Sequence, residues 1–309
     1  MFTSRSSLWT NLNCENKDQA HVYLERSKSL PINLSLYPDD HLPPYHPFFW
    51  IIPRAVGRLG SLSIRVLQKD LQTITAHLSH PAPLLEELSI RGVPGSSYRN
   101  PVLAPALFGG DLSSLRKLRL ECVRTELPWR NMINLTSFKL YYASRGEVSV
   151  RQLLNFFEST PRLRTVHLRC VTPTPCAQNG RLVSLACLEK MEVIGGSSAR
   201  LLLDHVLIPV GACLTIEVVL PCPPVKDHPP RFLDNLGNLS NFTTIELSCD
   251  SARETHMRFS GPNGQVRIIP HNYLPDETYS VLEFLDHFDT SKAEQLNIDR
   301  GNSSSSDPL

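Results

Sequence analysis

Cysteine and histidine are the residues of this chain best suited to chemistry of their own, and there are eight of the first and eleven of the second. A C-x-x-C pair would offer two thiolates to zinc or form a thioredoxin-type redox centre. No two cysteines stand at that spacing. His41 with His46, and Cys222 with His228, come nearest to ligand pairs, and neither has a third or fourth Cys or His ligand close by in sequence. Hydrolysis or phosphate chemistry would announce itself as G-x-S-x-G, a P-loop, H-E-x-x-H or a strand-turn-helix G-x-G-x-x-G. None of these occurs, and Gly195-Gly196 reads as a turn. The expectation is a chain that is not an enzyme, with no cofactor and no resident metal.

The elements that must position any functional side chain are written in a spaced apolar-x-apolar couplet. It occurs at Leu34/Leu36, Leu62/Ile64, Leu88/Ile90, Leu118/Leu120, Phe138/Leu140, Val166/Leu168, Met191/Val193, Ile216/Val218, Ile245/Leu247, Val266/Ile268 and Leu296/Ile298. The steps between first members run from 20 to 30 residues. Several copies add an apolar residue three positions earlier: Leu59, Leu85, Leu115, Leu135, Leu163, Leu188, Cys213 and Phe242. This is the L-x-x-L-x-L pattern of leucine-rich repeats. One such strand cannot bury its apolar side alone and must stack on its neighbours. The predicted fold is therefore α/β: an irregular leucine-rich-repeat solenoid, with a curved, mostly parallel sheet on the concave face and helices or loops on the convex face.

Between the couplets, Val150, Leu153, Leu154 and Phe157 fall at i, i+3, i+4 and i+7 and predict an amphipathic helix. Asp276–Phe288 predicts another, and Leu201–Val206 and Phe232–Leu236 are shorter candidates. His41–Pro53 reads as an irregular insertion, and the proline-rich run Pro221–Pro230 as an extended loop. Side chains two apart share a strand face, so Cys122, Cys170 and Cys249 should continue the inward rows as small buried hydrophobes.

Residues between and after each couplet should then line the concave face. The first five strands from Leu62 carry Arg65, Arg91, Arg119, Lys139 and Arg169 there, with Tyr141 and His167 among them. The next three carry Glu192, Glu217 and Glu246. The whole-chain net charge of +1 hides this sorting and excludes a global field for nucleic acid or a membrane. These ten residues are the candidate partner-binding set, for a protein partner of unknown identity. The competing reading is a face that is polar only because it is solvated. Exposed strand charges contribute little to stability, so reversing Arg119 and Arg169 should weaken a partner and leave folding nearly intact.

Met1–Asn11 lacks a secretory apolar core, and Leu201–Leu220 is broken by Asp204, His205, Pro209 and Glu217. The expected location is cytoplasmic or nuclear, with reduced thiols.

Ser7-Leu8-Trp9-Thr10, Val22-Tyr23-Leu24-Glu25-Arg26-Ser27 and Pro31-Ile32-Asn33-Leu34-Ser35-Leu36 resemble a stretch found in the fungal F-box proteins with leucine-rich repeats. Leu115-Arg116-Lys117-Leu118 and Pro161-Arg162-Leu163-Arg164 fit the repeats of that family. The resemblance implies the substrate-recognition part of an SCF-type ubiquitin ligase receptor. The F-box itself would precede Leu8, so binding of the SCF adaptor is expected only if an F-box lies upstream. The expected division is an N-terminal helical remnant over 1–30, a repeat domain over 31–300 and a disordered tail over 301–309. The alternative is an orphan scaffold repeat protein with no ubiquitin link.

Overall fold

The structure, a computed structural model, describes residues 6–38, 41–93, 102–103, 107–127, 129, 131–143, 148–171, 173–174, 181–195, 198–221, 243–249, 255–262, 264–271 and 293–300. In chain order the first half comprises β1 (Asn11–Asn13), α1 (Lys17–Arg26), β2 (Ile32–Leu36), α2 (Phe48–Ala55), β3 (Leu59–Leu67), α3 (Gln68–Ala76), β4 (Glu87–Val93), β5 (Lys117–Glu121) and β6 (Ser137–Tyr141). It continues with α4 (Val150–Ser159), β7 (Thr165–Arg169), β8 (Val183–Ser184), β9 (Lys190–Gly195), α5 (Ser198–Leu203), β10 (Val206–Leu207) and β11 (Cys213–Pro221). The remaining strands are β12 (Thr244–Cys249), β13 (Thr255–Gly261), β14 (Gly264–His271) and β15 (Gln295–Arg300). The chain is α/β, with one large and mostly parallel sheet in the order β1-β2-β3-β4-β5-β6-β7-β9-β11-β14-β13-β12-β15. The short β8 and β10 pair with each other apart from it.

From β2 to β9 the couplets stand in register. Leu34 lies beside Leu62, then Leu88, Leu118, Phe138, Val166 and Met191. All seven are buried. At about 1.5–3 kcal/mol for each large apolar side chain removed from water, these rows and their partners two residues on hold the sheet to the layer beneath it. A tight turn precedes each of these strands from β4 onward: the N–H of Leu85, Leu115, Leu135, Leu163 and Leu188 donates to the carbonyl three residues earlier, at 2.9–3.1 Å. These are the apolar residues three before the couplets, and every one is buried. The next carbonyl along accepts from the following strand: Glu86 from Arg116 and Lys117, Arg116 from Thr136 and Ser137, Thr136 from Arg164 and Thr165.

The layer beneath is built from helices and loops. In α4 the predicted residues Val150, Leu153, Leu154 and Phe157 are buried, and Phe156 packs on Phe138 with ring centroids 4.3 Å apart. Its start is set by a capping box, Ser149 accepting from the Gln152 N–H while the Gln152 side chain accepts from the Ser149 N–H.

Several expectations are corrected. The His41–Pro53 segment is not irregular throughout: α2 begins at Phe48, and Phe48, Ile51, Ile52 and Ala55 are buried at helical spacing. The short helix expected at Leu201–Val206 lies at Ser198–Leu203. Residues 11–13, placed in a helical remnant, form the first strand, and Leu12 and Cys14 make a further buried pair beside Leu34 and Leu36. Cys170 does not continue the inward row; it leaves β7 at φ 52° and is exposed. Cys122 follows β5 with the same φ of 52° yet stays buried, and Tyr142 leaves β6 at φ 57°. Leu296, expected inward, is exposed on the outermost strand β15. The couplets beyond β11 also leave sequence order: β14, not β12, lies beside β11, and β12, β13 and β14 form an antiparallel meander. The segments Phe232–Leu236 and Asp276–Phe288, residues 222–230, the side chain of Cys249 and the tail fall outside the described residues.

Candidate functional site

Alternation on β3 to β9 leaves one face of the sheet without the helical layer, and the candidate residues stand on it in two rows. The first row, between the couplet residues, runs Ser63, Ser89, Arg119, Lys139, His167, Glu192 and then Thr215 of β11. The second, one pleat further along, runs Arg65, Arg91, Glu121, Tyr141, Arg169, Ile194 and Glu217. Beyond Glu217 the second row passes Arg267 and Arg258 before it reaches Glu246. The expected sequence of three acidic strands is therefore interrupted by two basic ones. Of the three, only Glu192 stands on the strand next to the basic block, beside His167, while Ile194 separates Glu217 from Arg169.

Placement of Glu217 in the second row corrects the pairing of β11. Leu214, not Ile216, lies beside Met191, and Ile216 lies beside Val193. The turn before β11 explains this: the N–H of Ala212 donates to the Pro209 carbonyl, and Ala212 occupies the buried place that Leu188 holds before β9. Leu214 follows Ala212 by two residues, whereas Met191 follows Leu188 by three. Cys213, expected to point inward, is exposed.

At the centre of the face lies Glu121, 4% exposed. Its carboxylate accepts from the Arg91 Nε at 3.1 Å and from Arg119 at 2.8 Å, while both arginines keep 46% of their side-chain surface. The Arg119 guanidinium also lies 5.1 Å from the Tyr141 ring centroid, within cation–π range. Burial pushes the Tyr141 hydroxyl above its usual pKa of 10.0, with Arg119 pulling the other way. One strand further, the His167 Nδ1 lies 3.1 Å from Glu192. Burial holds His167 below its usual 6.5, although the Glu192 carboxylate works in the opposite direction. Arg65, Lys139 and Arg169 form no ion pair among the described residues. Glu246 is paired with Arg258 at 3.3 Å.

Glu121 was not singled out as a site residue from sequence. Its position between Leu120 and Cys122 gave the face but not the depth, which comes from arginines on two strands closing over it.

Of the metal candidates, Cys222 and His228 lie outside the described residues, and His41 and His46 are used locally. His41 pairs with the buried Asp70 at the start of α3, whose other carboxylate oxygen accepts from the Leu42 N–H at 3.3 Å. His46 accepts from the Phe48 N–H at 3.2 Å. Among the described residues, no group of three or more His, Cys, Asp or Glu is placed to hold a metal ion. No helix among them is long and apolar enough to cross a membrane.

The N-terminal motif residues pack on one another. Trp9 and Tyr23 meet edge to face at 5.0 Å, and Arg26 covers Trp9 at 4.6 Å. Arg58 donates to the Ser27 hydroxyl and to the Leu24 carbonyl at 3.4 and 3.3 Å. Compared with family models, with curated proteins and with solved structures, the chain gives no match.

Proposed function

We propose that the chain is a non-catalytic leucine-rich-repeat interaction protein, similar to the substrate-recognition part of an F-box protein of an SCF-type ubiquitin ligase. The observation that carries this reading is the recurrence of one unit: a tight turn closed on a buried leucine, a short parallel strand, and an outward row of Arg, Lys, Tyr, His and Glu. Such a unit supports a solenoid whose strand face is concave and open to a protein partner, in a protein that we place in the cytoplasm or nucleus. Arginine and tyrosine are favoured among residues that dominate binding energy, and here Arg119 and Tyr141 already stand together. The SCF adaptor joins only if an F-box lies upstream. Should there be no ubiquitin link, the same surface serves an orphan scaffold.

The test is affinity capture of the chain from cells beside its Arg65→Glu/Arg169→Glu variant. A protein retained by the first, lost by the second, and accumulating when the proteasome is blocked supports the ligase reading. A protein lost by the variant but indifferent to the proteasome supports the scaffold. If every captured protein binds both forms equally, the face is not the interaction surface and the proposal fails.

A further inference from the structure

We infer that the outward face of β3 to β7 receives an extended acidic segment of a partner protein, laid across the strands. The inference rests on the interaction reading above and names the chemistry of its partner. Along these five strands the outward positions carry six cations, Arg65, Arg91, Lys117, Arg119, Lys139 and Arg169, against two carboxylates, Glu87 and Glu121. Both carboxylates are already engaged, Glu87 by Lys117 and Glu121 by Arg91 and Arg119. What is left over is cationic. Arg65, Lys139 and Arg169 lack an ion-pair partner among the described residues.

The arrangement is also held ready. Glu121 is buried and fixes two guanidiniums side by side, with about half of each still open to solvent. A guanidinium presents five N–H donors in a planar fork, so each arginine keeps donors free after satisfying Glu121. Ordering them beforehand lowers the entropy cost of binding a carboxylate.

Spacing favours a segment over a single anion. Strands stand ~4.8 Å apart, so β3 to β7 span about 19 Å, the reach of about six residues of extended chain at ~3.3 Å each. Every second side chain of such a segment would meet the face. A nucleic acid would instead call for stacking aromatics along a basic groove. Between β3 and β7 the two rows contribute two rings, Tyr141, which Arg119 already covers, and His167, which is paired with Glu192.

The probe is a labelled peptide long enough to span β3 to β7, with glutamate at every second position and serine between, followed by fluorescence anisotropy with the full chain. Its glutamine counterpart and a uridine oligonucleotide serve as comparisons. The glutamate peptide should bind and weaken as salt rises, with the glutamine peptide about tenfold weaker or more. Arg65→Glu/Arg169→Glu should lose about tenfold, and Arg151→Glu on α4, exposed on the layer behind the sheet, should lose nothing. If the reversed pair does not fold, Arg65→Gln/Arg169→Gln carries the same measurement. Absence of binding, an equal loss in Arg151→Glu, or tighter binding of the oligonucleotide overturns the inference. A cellular partner that needs Arg65 and Arg169 while no acidic peptide binds would leave the interaction reading standing and sink the acidic segment alone. Peptide binding with no cellular partner dependent on the face would do the reverse.

Discussion

A carboxylate 4% exposed beneath two guanidiniums makes Arg119 a different residue from Arg169, although both stand outward on neighbouring rows. On sequence grounds the two are equivalent exposed charges. In the structure, Arg119→Glu would set a second carboxylate against Glu121. Breaking a fully buried pair costs roughly 3–5 kcal/mol; with Arg91 still in place and Arg119 half exposed, about 2–3 kcal/mol is expected. Arg169→Glu should change stability by no more than about 0.5 kcal/mol. Denaturant unfolding of the two single variants checks this, and equal midpoints would mean that Glu121 is not held as described. His167 gives a pH dependence whose sign is fixed by its surroundings. Its pKa is lowered on folding, by burial first, so below about 6.5 the unfolded chain binds more protons than the folded one. The stability contributed by neutral His167 is complete above pH 6.5 and is lost as pH falls through that value toward the folded pKa. Glu192→Gln removes the carboxylate that opposes the shift, so the folded pKa should fall further. An NMR titration of the His167 ring that moved upward in this variant would contradict the assignment.

At the scale of elements, alternation made the sheet legible where a single frame fits. Couplets from Leu34 to Val193 fall where their spacing puts them, and the outward positions of β3 to β9 follow from that frame. It fails at β11, because Leu214, Ile216, Val218 and Leu220 all alternate and any adjacent two would serve as the couplet. The turn at Pro209–Ala212 shortens the lead into the strand and decides between them. Leu214→Ala should therefore cost about 2–5 kcal/mol, as for a large buried residue, whereas Cys213→Ala should cost little. The opposite order, in thermal unfolding, would restore the sequence frame. Helix α2 was obscured by its prolines, although Phe48, Ile51, Ile52 and Ala55 keep helical spacing; Pro47 caps it and Pro53 lies inside. The buried residues Leu71 and Ile74 of α3, and Leu12 and Cys14 in and just after β1, lie in segments with too few apolar residues to stand out locally. Their burial depends on partners distant in sequence. Left-handed residues at Cys122, Tyr142 and Cys170 were equally invisible, since none is glycine. Each donates its N–H onward to a carbonyl, Tyr141, Arg169 and Ile194 respectively. The site was legible as a face and as a list of charges. It was not legible as pairings, because the partners of Glu121, Glu192 and Glu246 are set by strand order and register.

For the molecule as a whole, the consequence is that the N-terminal segment belongs to the same core as the sheet. Leu12, Cys14 and Ala20 are buried in the hydrophobic cluster that continues through Leu34, Leu62 and Leu88 to Leu214. The β1 strand pairs with β2, Asn33 donates to the Asn11 side chain at 2.8 Å, and α1 lies over this end with Arg58 reaching back to it. Burial raises the Cys14 thiol to about 12, so its place in the core is as a neutral hydrophobe. Deleting residues 1–30 should then do two things. Loss of Leu12 burial alone removes about 1.5–3 kcal/mol, and the thermal midpoint should fall accordingly. The edge of β2 would also lose its partner, and an unpaired edge strand templates pairing with another chain. The shortened protein should therefore self-associate, measurable by light scattering at concentrations where the full chain stays dispersed. An unchanged midpoint with no association would instead make residues 1–30 an appendage, separable from the sheet they are here paired with.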